Sequence, residues 1–473
     1  MASMSAKEFK SMKLTRVEIE NFRCFERLSL SLEPDVTAVI GVNAAGKTAL
    51  LDAIALGLRP VIEGPLDRIK ANTDPKSLPG KDPSGLLLRP TDVRIGTEET
   101  QGSRGRLPEA AIATTMTGSD PRDATRTLSL EWHQTMGYTV QLDIESRGII
   151  LVEPVGIAPA PDGFWLPAGG DAHGAHIDIP TLAFYRDSRN CRGRSQPQAN
   201  PEAMDRDSAL KRAFDAGADF EAAQHWFYMR ENQELRAARE HGNTAFEFPD
   251  LATIRKALSL MLDGIERVYT DDNPPRLKVD KKGAAGQTLT LELAQLSAGQ
   301  RNLLALTLDF ARRLALTHPG WDQPLEAPGI LLIDEIELNL HPKWQQNVIP
   351  HLRRVFPDTQ IIVATHSPQV LSTLEARQIR VLKDQQLFAP NVETYGTDAG
   401  RVQRLVMDTD TRPPDNPYAQ QVDLLFAEIG DGRLGAAEQL LQALESERGG
   451  DEPSLIEART LIANRKWEAE LGL

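Results

Sequence analysis

Gly41-Val42-Asn43-Ala44-Ala45-Gly46-Lys47-Thr48 is the stretch on which the reading of this chain turns. It fits the pattern G-x-x-x-x-G-K-[ST], a turn whose backbone N–H groups face phosphate oxygens at the start of a helix. The glycines permit the turn, Lys47 brings a mobile cation to the phosphates, and the Thr48 hydroxyl is placed to ligate Mg²⁺. Its flanks agree. Val36–Ile40 reads as a strand entering the turn, and a helix is expected from Lys47 to about Leu58.

A second stretch, Ile330-Leu331-Leu332-Ile333-Asp334-Glu335, is an apolar strand ending in two carboxylates. Alone it could equally be a strand followed by a capping aspartate. Beside the phosphate loop, Asp334 becomes a second Mg²⁺ ligand and Glu335 the candidate catalytic base for an attacking water. Between the two, Leu296-Ser297-Ala298-Gly299-Gln300-Arg301 places a serine at a helix N-terminus, a further set of phosphate-facing donors as well as an ordinary cap. Ala364-Thr365-His366-Ser367-Pro368 follows another apolar run and puts His366 at a strand end.

The chain has 473 residues, 41% hydrophobic and 25% charged, which excludes disordered and collagen-like classes. Two cysteines, Cys24 and Cys191, make no disulfide framework and lack metal-site spacing, so a reducing compartment is expected. No apolar run approaches a membrane span and the N-terminus lacks a signal-peptide core; the expected location is cytoplasmic, with no membrane partner. A net charge of −14 argues against coating nucleic acid by charge alone. Two basic clusters remain, Arg186, Arg189, Arg192 and Arg194 in one loop, and Lys278, Lys281 and Lys282 in another. Each reads equally as a phosphate grip or as a solvated turn.

Period-two alternation over Leu14–Asn21 predicts a half-buried strand. Leu128–Trp132 and Thr139–Ile144 read as an antiparallel pair joined near Gly137, and Thr181–Tyr185 as a buried strand. Pro201 to about Thr270 reads as helical, with Leu210, Phe214, Trp226, Phe227 and Leu235 as packing positions. Strands are expected at Arg276–Val279, Thr288–Leu293, Ile330–Asp334 and Ile361–Ala364, a long helix from Ser297 to Leu316, and a helical tail from Arg401 broken at Pro413–Pro417.

Taken together, the loop, the serine-led helix, the acidic strand and the histidine resemble the ABC-type ATPases of the SMC and RecF group. Val17-Glu-Ile-Glu-Asn-Phe22-Arg23-Cys24-Phe25 resembles that group's N-terminal strand, in which the arginine reaches the nucleotide. Glu337-Leu-Asn-Leu-His341-Pro342 resembles the D-loop of its OLD-like branch; RecF and SMC heads carry aspartate where His341 stands. Ala44 and Ala298 occupy places where the family has glycine. The resemblance implies an α/β, two-lobed head: a phosphate-loop parallel sheet, an antiparallel β-subdomain, a helical insert and a helical tail. Its expected bounds are 13–195, 196–275, 276–398 and 399–473. It implies ATP and Mg²⁺ as cofactors, bound by Arg23, Asn43, Ala45, Gly46, Lys47, Thr48 and Ala49, with Thr48 and Asp334 on the metal. Glu335 and His366 become the catalytic pair, and Ser297, Gly299 and Gln300 close the site from a second copy, making a homodimer or larger oligomer.

Thr181-Leu-Ala-Phe-Tyr185-Arg-Asp-Ser-Arg189, the Trp226-Phe227 helix and the tail segments Ala427–Gly430, Ala436–Glu438 and Ala458–Ile462 resemble PtuA, the ATPase of Septu and Septu-containing retron anti-phage systems. That resemblance implies an HNH nuclease partner of the PtuB type, and leaves DNA or the retron's msDNA as a candidate ligand. Three alternatives stay open at this point: a RecF-like repair ATPase binding DNA itself, an OLD-like nuclease, and, more remotely, a transporter ATPase.

Overall fold

The computed structural model describes residues 12–73, 104–106, 110–120, 123–143, 148–155, 180–187, 209–210, 213–214, 220–262, 264–272, 275–283, 285–319, 321 and 323–471. The chain divides into two compact units, Met1–Val402 and Gln403–Leu473.

The first unit opens with a hairpin of β1 (Lys13–Phe22) and β2 (Phe25–Ser31). Along β1, Val17 and Ile19 are buried while Glu20 is exposed, the alternation expected of a strand with one wet face. β3 (Val36–Ile40) is buried throughout and leads into α1 (Lys47–Thr73). Pro60 and Pro65, each lacking a donor, argue for a stop near Leu58. The helix nevertheless continues, and Val61 beyond the first proline still packs into the core. β4 (Arg104–Arg106), β5 (Ala110–Asp120), β6 (Asp123–Asp143) and β7 (Gly148–Val155) extend the hairpin into an antiparallel sheet of order β2-β1-β5-β6-β4, with β7 also on β6. The hairpin expected at Gly137 is not there. β6 runs straight through it, and Gly137 pairs with Val155 of β7. The short strand read at Val93–Ile95 lies outside the described residues.

After β8 (Thr181–Tyr185) come α2 (Phe220–Glu240) and α3 (Pro249–Met261), then a separate antiparallel sheet of β9 (Ile265–Asp272), β10 (Pro275–Lys282) and β11 (Thr288–Glu292). Helix therefore ends at Met261 rather than near Thr270, because Val268, Tyr269 and Thr270 favour the extended chain. α4 (Ala298–Thr317), β12 (Gly329–Ile333), α5 (Pro342–Val355), β13 (Thr359–Ala364), α6 (Pro368–Leu371), β14 (Ile379–Lys383), β15 (Gln386–Phe388) and α7 (Ala399–Leu405) follow.

The central sheet has the order β15-β14-β3-β13-β12-β8, parallel except for β15. β3 and β12 flank β13, so the phosphate loop and the acidic strand end emerge at the same edge, where open α/β sheets bind ligands. The architecture is α/β, a mainly parallel sheet carrying the phosphate loop beside an antiparallel sheet. Gln360, fully buried on β13, joins the two sheets: its Oε1 accepts from Leu14 N at 2.8 Å, and its Nε2 donates to Leu14 O and Glu33 O, each at 2.7 Å.

A buried ionic cluster lies between α4 and β8. Asp309 of α4 accepts from Arg312 Nη2 at 2.7 Å, Arg313 Nε at 2.9 Å and the Tyr185 hydroxyl at 2.8 Å. Burial alone would raise the Asp309 carboxyl, but the two guanidiniums outweigh it and hold it below its ordinary range. Burial, then the Asp309 charge, pushes the Tyr185 phenol well up. α4 is thereby tied to β8.

The second unit is a bundle of α8 (Pro417–Gly430), α9 (Leu434–Arg448) and α10 (Pro453–Leu471). Val422, Leu425, Leu441, Leu444, Leu455 and Ile462 form its core, so the apolar spacing of the tail serves the tail itself.

Replacing Asp309 with alanine leaves two buried guanidiniums without their carboxylate, which costs about 3–5 kcal/mol. Denaturant unfolding of Asp309→Ala should show a loss of that size; a change within about 1 kcal/mol, the scale of a surface substitution, would place the cluster in solvent contact.

Candidate nucleotide site

The phosphate loop is built on unusual backbone. Gly46 has φ 106°, a conformation glycine alone takes readily, and a Cβ there would meet Cys24 Sγ at 2.6 Å and Phe25 Cζ at 2.8 Å. The β1–β2 turn thus packs directly under the loop. Ala44 also lies in the left-handed region, at φ 63°, which gives the physical reason glycine is usual there.

Lys47 is buried, and its Nζ donates to Gly41 O and Val42 O, each at 3.0 Å. Desolvation lowers its pKa, opposed by the charges of Asp334, Glu335 and Glu337. Those loop carbonyls hold the ammonium where a phosphate can take it over. The Thr48 hydroxyl donates to Asp334 Oδ2 at 2.7 Å. Two hard oxygens side by side at a helix N-terminus fit Mg²⁺, which commonly takes one or two protein oxygens, with phosphates and waters completing an octahedron. Among the described residues no group of three or more His, Cys, Asp or Glu could hold a metal by itself, so the nucleotide's oxygens would complete this shell.

Asp334 is fixed from β8, whose Tyr185 O accepts its N–H at 2.8 Å. Glu335 follows at φ 45°, a strained setting for a long side chain and one that turns it sharply off the strand. Glu337, the first residue of the segment that resembles a D-loop, is the pivot of the next layer. Its Oε2 accepts from the Thr365 hydroxyl at 2.7 Å and its Oε1 from His366 N at 2.5 Å. The Ser367 hydroxyl donates to Gln345 Oε1 at 2.6 Å, and Gln345 Nε2 to Leu340 O at 2.8 Å. The segment after β12 and the segment carrying His366 are therefore one hydrogen-bonded body.

Ser297 caps α4: its Oγ accepts from Gln300 N, and Gln300 Oε1 accepts from Ser297 N, both at 3.3 Å. Ser297 and Ala298 are exposed while Gly299 is buried. A Cβ on Gly299 would meet Asn339 O at 2.5 Å, whereas Ala298 has room for its methyl. Only the second glycine of this motif is sterically required here. His341 caps α5, accepting from Lys343 N through Nδ1 at 3.3 Å, so at this position it acts as a helix cap.

The structure thus brings Lys47, Thr48, Asp334, Glu335 and His366 to one edge of the central sheet, with Arg23 in the adjoining turn and Asn43 exposed on the loop. Asp52, unassigned from sequence, lies buried one turn into α1 and pairs with Arg23 and Arg186. Its signal was a lone carboxylate among Leu50, Leu51, Ala53 and Ile54. Of the basic loop clusters, Arg186 is committed to Asp52, and Lys278 pairs with Glu292 at 3.0 Å. Arg189, Arg192 and Arg194 lie outside the described residues.

Comparison with known proteins places the chain among ATPases. Residues 12–63 match the family "AAA ATPase domain", and residues 200–372 match "AAA domain, putative AbiEii toxin, Type IV TA system". Over 98% of this chain and 90% of the relative, it is 27% identical to the "Retron Ec83 probable ATPase" of Escherichia coli. A shorter match, 34% identical, joins 20% of the chain to 13% of the "Septu protein PtuA" of Bacillus mycoides (strain KBAB4). These likenesses support an SMC/RecF-like ATPase related to PtuA. Another 43 residues, 9% of the chain and 11% of the relative, are 54% identical to the "DNA replication and repair protein RecF" of Roseiflexus castenholzii (strain DSM 13941 / HLO8). As an ATPase of this kind it binds nucleotide.

Lys47→Ala should lower ATP affinity at least about tenfold, since a charge-assisted hydrogen bond contributes roughly 1.5–3 kcal/mol; unchanged calorimetric binding would contradict the site. Wild-type affinity should also depend on pH. Phosphate favours the ammonium, so once pH exceeds the lowered pKa of free Lys47, binding must draw in a proton. Affinity should then fall by up to about tenfold per pH unit, starting below the ordinary lysine range. A pH-independent affinity through that range would contradict a buried Lys47.

Proposed function

We propose that this chain is a nucleotide-gated switch: two copies close over Mg·ATP, hydrolysis opens them, and the cycle governs a partner nuclease in anti-phage defence. The observation that carries the catalytic half is the Thr48–Asp334 hydrogen bond, which unites the phosphate loop with the acidic strand at one metal-fit point. Lys47 would neutralise the phosphates, Thr48 and Asp334 would hold the ion, which supplies charge neutralisation and orients the phosphates, and Glu335 would take the proton of an attacking water. His366, set by Glu337, would stand at the terminal phosphate.

Gating rests on the exposed start of α4. Ser297 caps its own helix and faces solvent, so its N-terminal donors are available to a nucleotide held by another copy. In a two-fold pair each α4 would complete the other copy's site, and the contact would be isologous. Binding would stabilise the closed state and hydrolysis release it.

The partner reading rests on the relatives named for retron and Septu systems. A PtuB-type HNH nuclease is the partner of that chemistry, and the tail bundle, with Leu424, Ile456 and Trp467 exposed, is its proposed docking unit. DNA or msDNA contact is the second reading, favoured by the short RecF match.

Glu335→Gln keeps the size of the side chain but removes the base. Hydrolysis should fall by roughly 10²–10⁴-fold while ATP still binds, and the closed dimer should accumulate in light scattering with Mg·ATP. Ser297→Arg should abolish that dimer. Full turnover in Glu335→Gln, or a dimer indifferent to Ser297→Arg, would contradict the shared site. Deleting residues 413–473 should leave ATP binding intact and abolish co-purification with the nuclease; retained capture by a soluble truncation would exclude the tail as the docking unit.

A further inference from the structure

Asp52 lies four residues beyond Thr48, on the same face of α1, and is 2% exposed. Helical side chains lean toward the N-terminus, so its carboxylate points back toward the level of Thr48. A buried carboxylate needs cationic partners, and Asp52 has two. Arg23, from the β1–β2 turn, donates to Oδ2, and Arg186, directly after β8, lies against Oδ1. Each guanidinium also rests over a ring: Arg23 is 5.2 Å from the Phe22 centroid and Arg186 4.5 Å from that of Phe184. One carboxylate facing two guanidiniums leaves a net positive charge beside the phosphate loop, in a partly dehydrated setting where it acts strongly on an anion.

The two arginines are held differently. Arg23 makes an aligned hydrogen bond to Asp52, whereas Oδ1, the oxygen facing Arg186, accepts no aligned hydrogen bond among the described residues. The Arg186 contact is ionic without that directionality. Its position is also distinct. Tyr185 O accepts the Asp334 N–H, so the next residue, Arg186, stands beside the end of the acidic strand. β8 flanks β12 on the side away from β3. A triphosphate laid from the loop toward Asp334 and Glu335 brings its terminal phosphate, not its inner ones, nearest the end of β8.

We propose that Arg186 reads the terminal phosphate of a nucleoside triphosphate, with Asp52 as the positioning residue that holds Arg186 and Arg23 at the site until nucleotide arrives. The inference rests on the ATP-binding reading above and extends it. When Arg186 turns to the phosphate, Asp52 keeps Arg23, so no buried carboxylate is stranded. A guanidinium binds phosphate oxygens through two parallel N–H donors, a geometry lysine cannot copy.

The test measures ATP and ADP affinities by calorimetry on the full-length protein, with thermal melting in the absence of nucleotide. Arg186→Gln should lose about tenfold in ATP affinity and change ADP affinity by less than about twofold, with melting near wild type because Arg23 still neutralises Asp52. Arg186→Lys should recover part of the ATP affinity without restoring it, and carries the same test should the glutamine variant not fold. Asp52→Asn should also narrow the ATP-over-ADP preference, beyond any fall in melting temperature. Equal losses for ATP and ADP, or an unchanged preference in the Arg186 variants, would overturn the inference while leaving the phosphate loop in place. Wild-type protein that binds neither nucleotide would overturn the ATP reading, and this inference with it.

Discussion

The Thr48 hydroxyl bonds Asp334 across 286 positions of chain, and the rest of the head exists to keep that contact. It requires β3 and β12 to end at the same edge of one sheet, one strand apart, which the parallel order supplies. It requires α1 to begin where β3 stops, which the left-handed Ala44 and Gly46 accomplish in a few residues. It also requires β12 to be held from both sides. β13 does so on one side and β8 on the other, with Tyr185 fixed in turn by Asp309 of α4. The helix whose N-terminus is exposed is therefore linked through buried charge to the strand beside the metal-fit oxygens.

The energetics of this arrangement follow from burial. The core strands are largely apolar, so the polar groups inside them must be paired, and the pairs named here lie at joints between elements. Gln360 joins the antiparallel and parallel sheets, Asp309 joins α4 to β8, Asp52 joins the β1–β2 turn to α1 and β8, and Glu337 joins the segments after β12 and β13. Each is one side chain serving two or more partners, so loss of any one strands several donors.

Much of the head was legible in the sequence because its motifs are local. The loop Gly41–Thr48, the strands Val36–Ile40 and Thr181–Tyr185, and the serine-capped helix each carry their own pattern of glycines, apolar runs and caps, and each stands where that pattern put it. The readings that failed were those in which a local signal was overruled. Gly137 looks like a turn but pairs within a long strand, and two prolines fail to end α1. Asp52, Asp309 and Gln360 could not be assigned from sequence, because what gives each its role is a partner distant in the chain. A lone polar residue inside an apolar stretch was the available signal, visible at Asp52 and Asp309 alike.

Manganese provides the most direct test of the central claim, since Mn²⁺ takes the same oxygen ligands as Mg²⁺ and is paramagnetic. Electron paramagnetic resonance should show Mn²⁺ immobilised on the protein, distinct from free Mn·ATP, only when ATP is present, and this protein-bound signal should vanish in Asp334→Ala. Equally tight protein-bound Mn²⁺ without ATP, or a protein-bound Mn·ATP signal that survives loss of Asp334, would contradict a nucleotide site built on the Thr48–Asp334 contact.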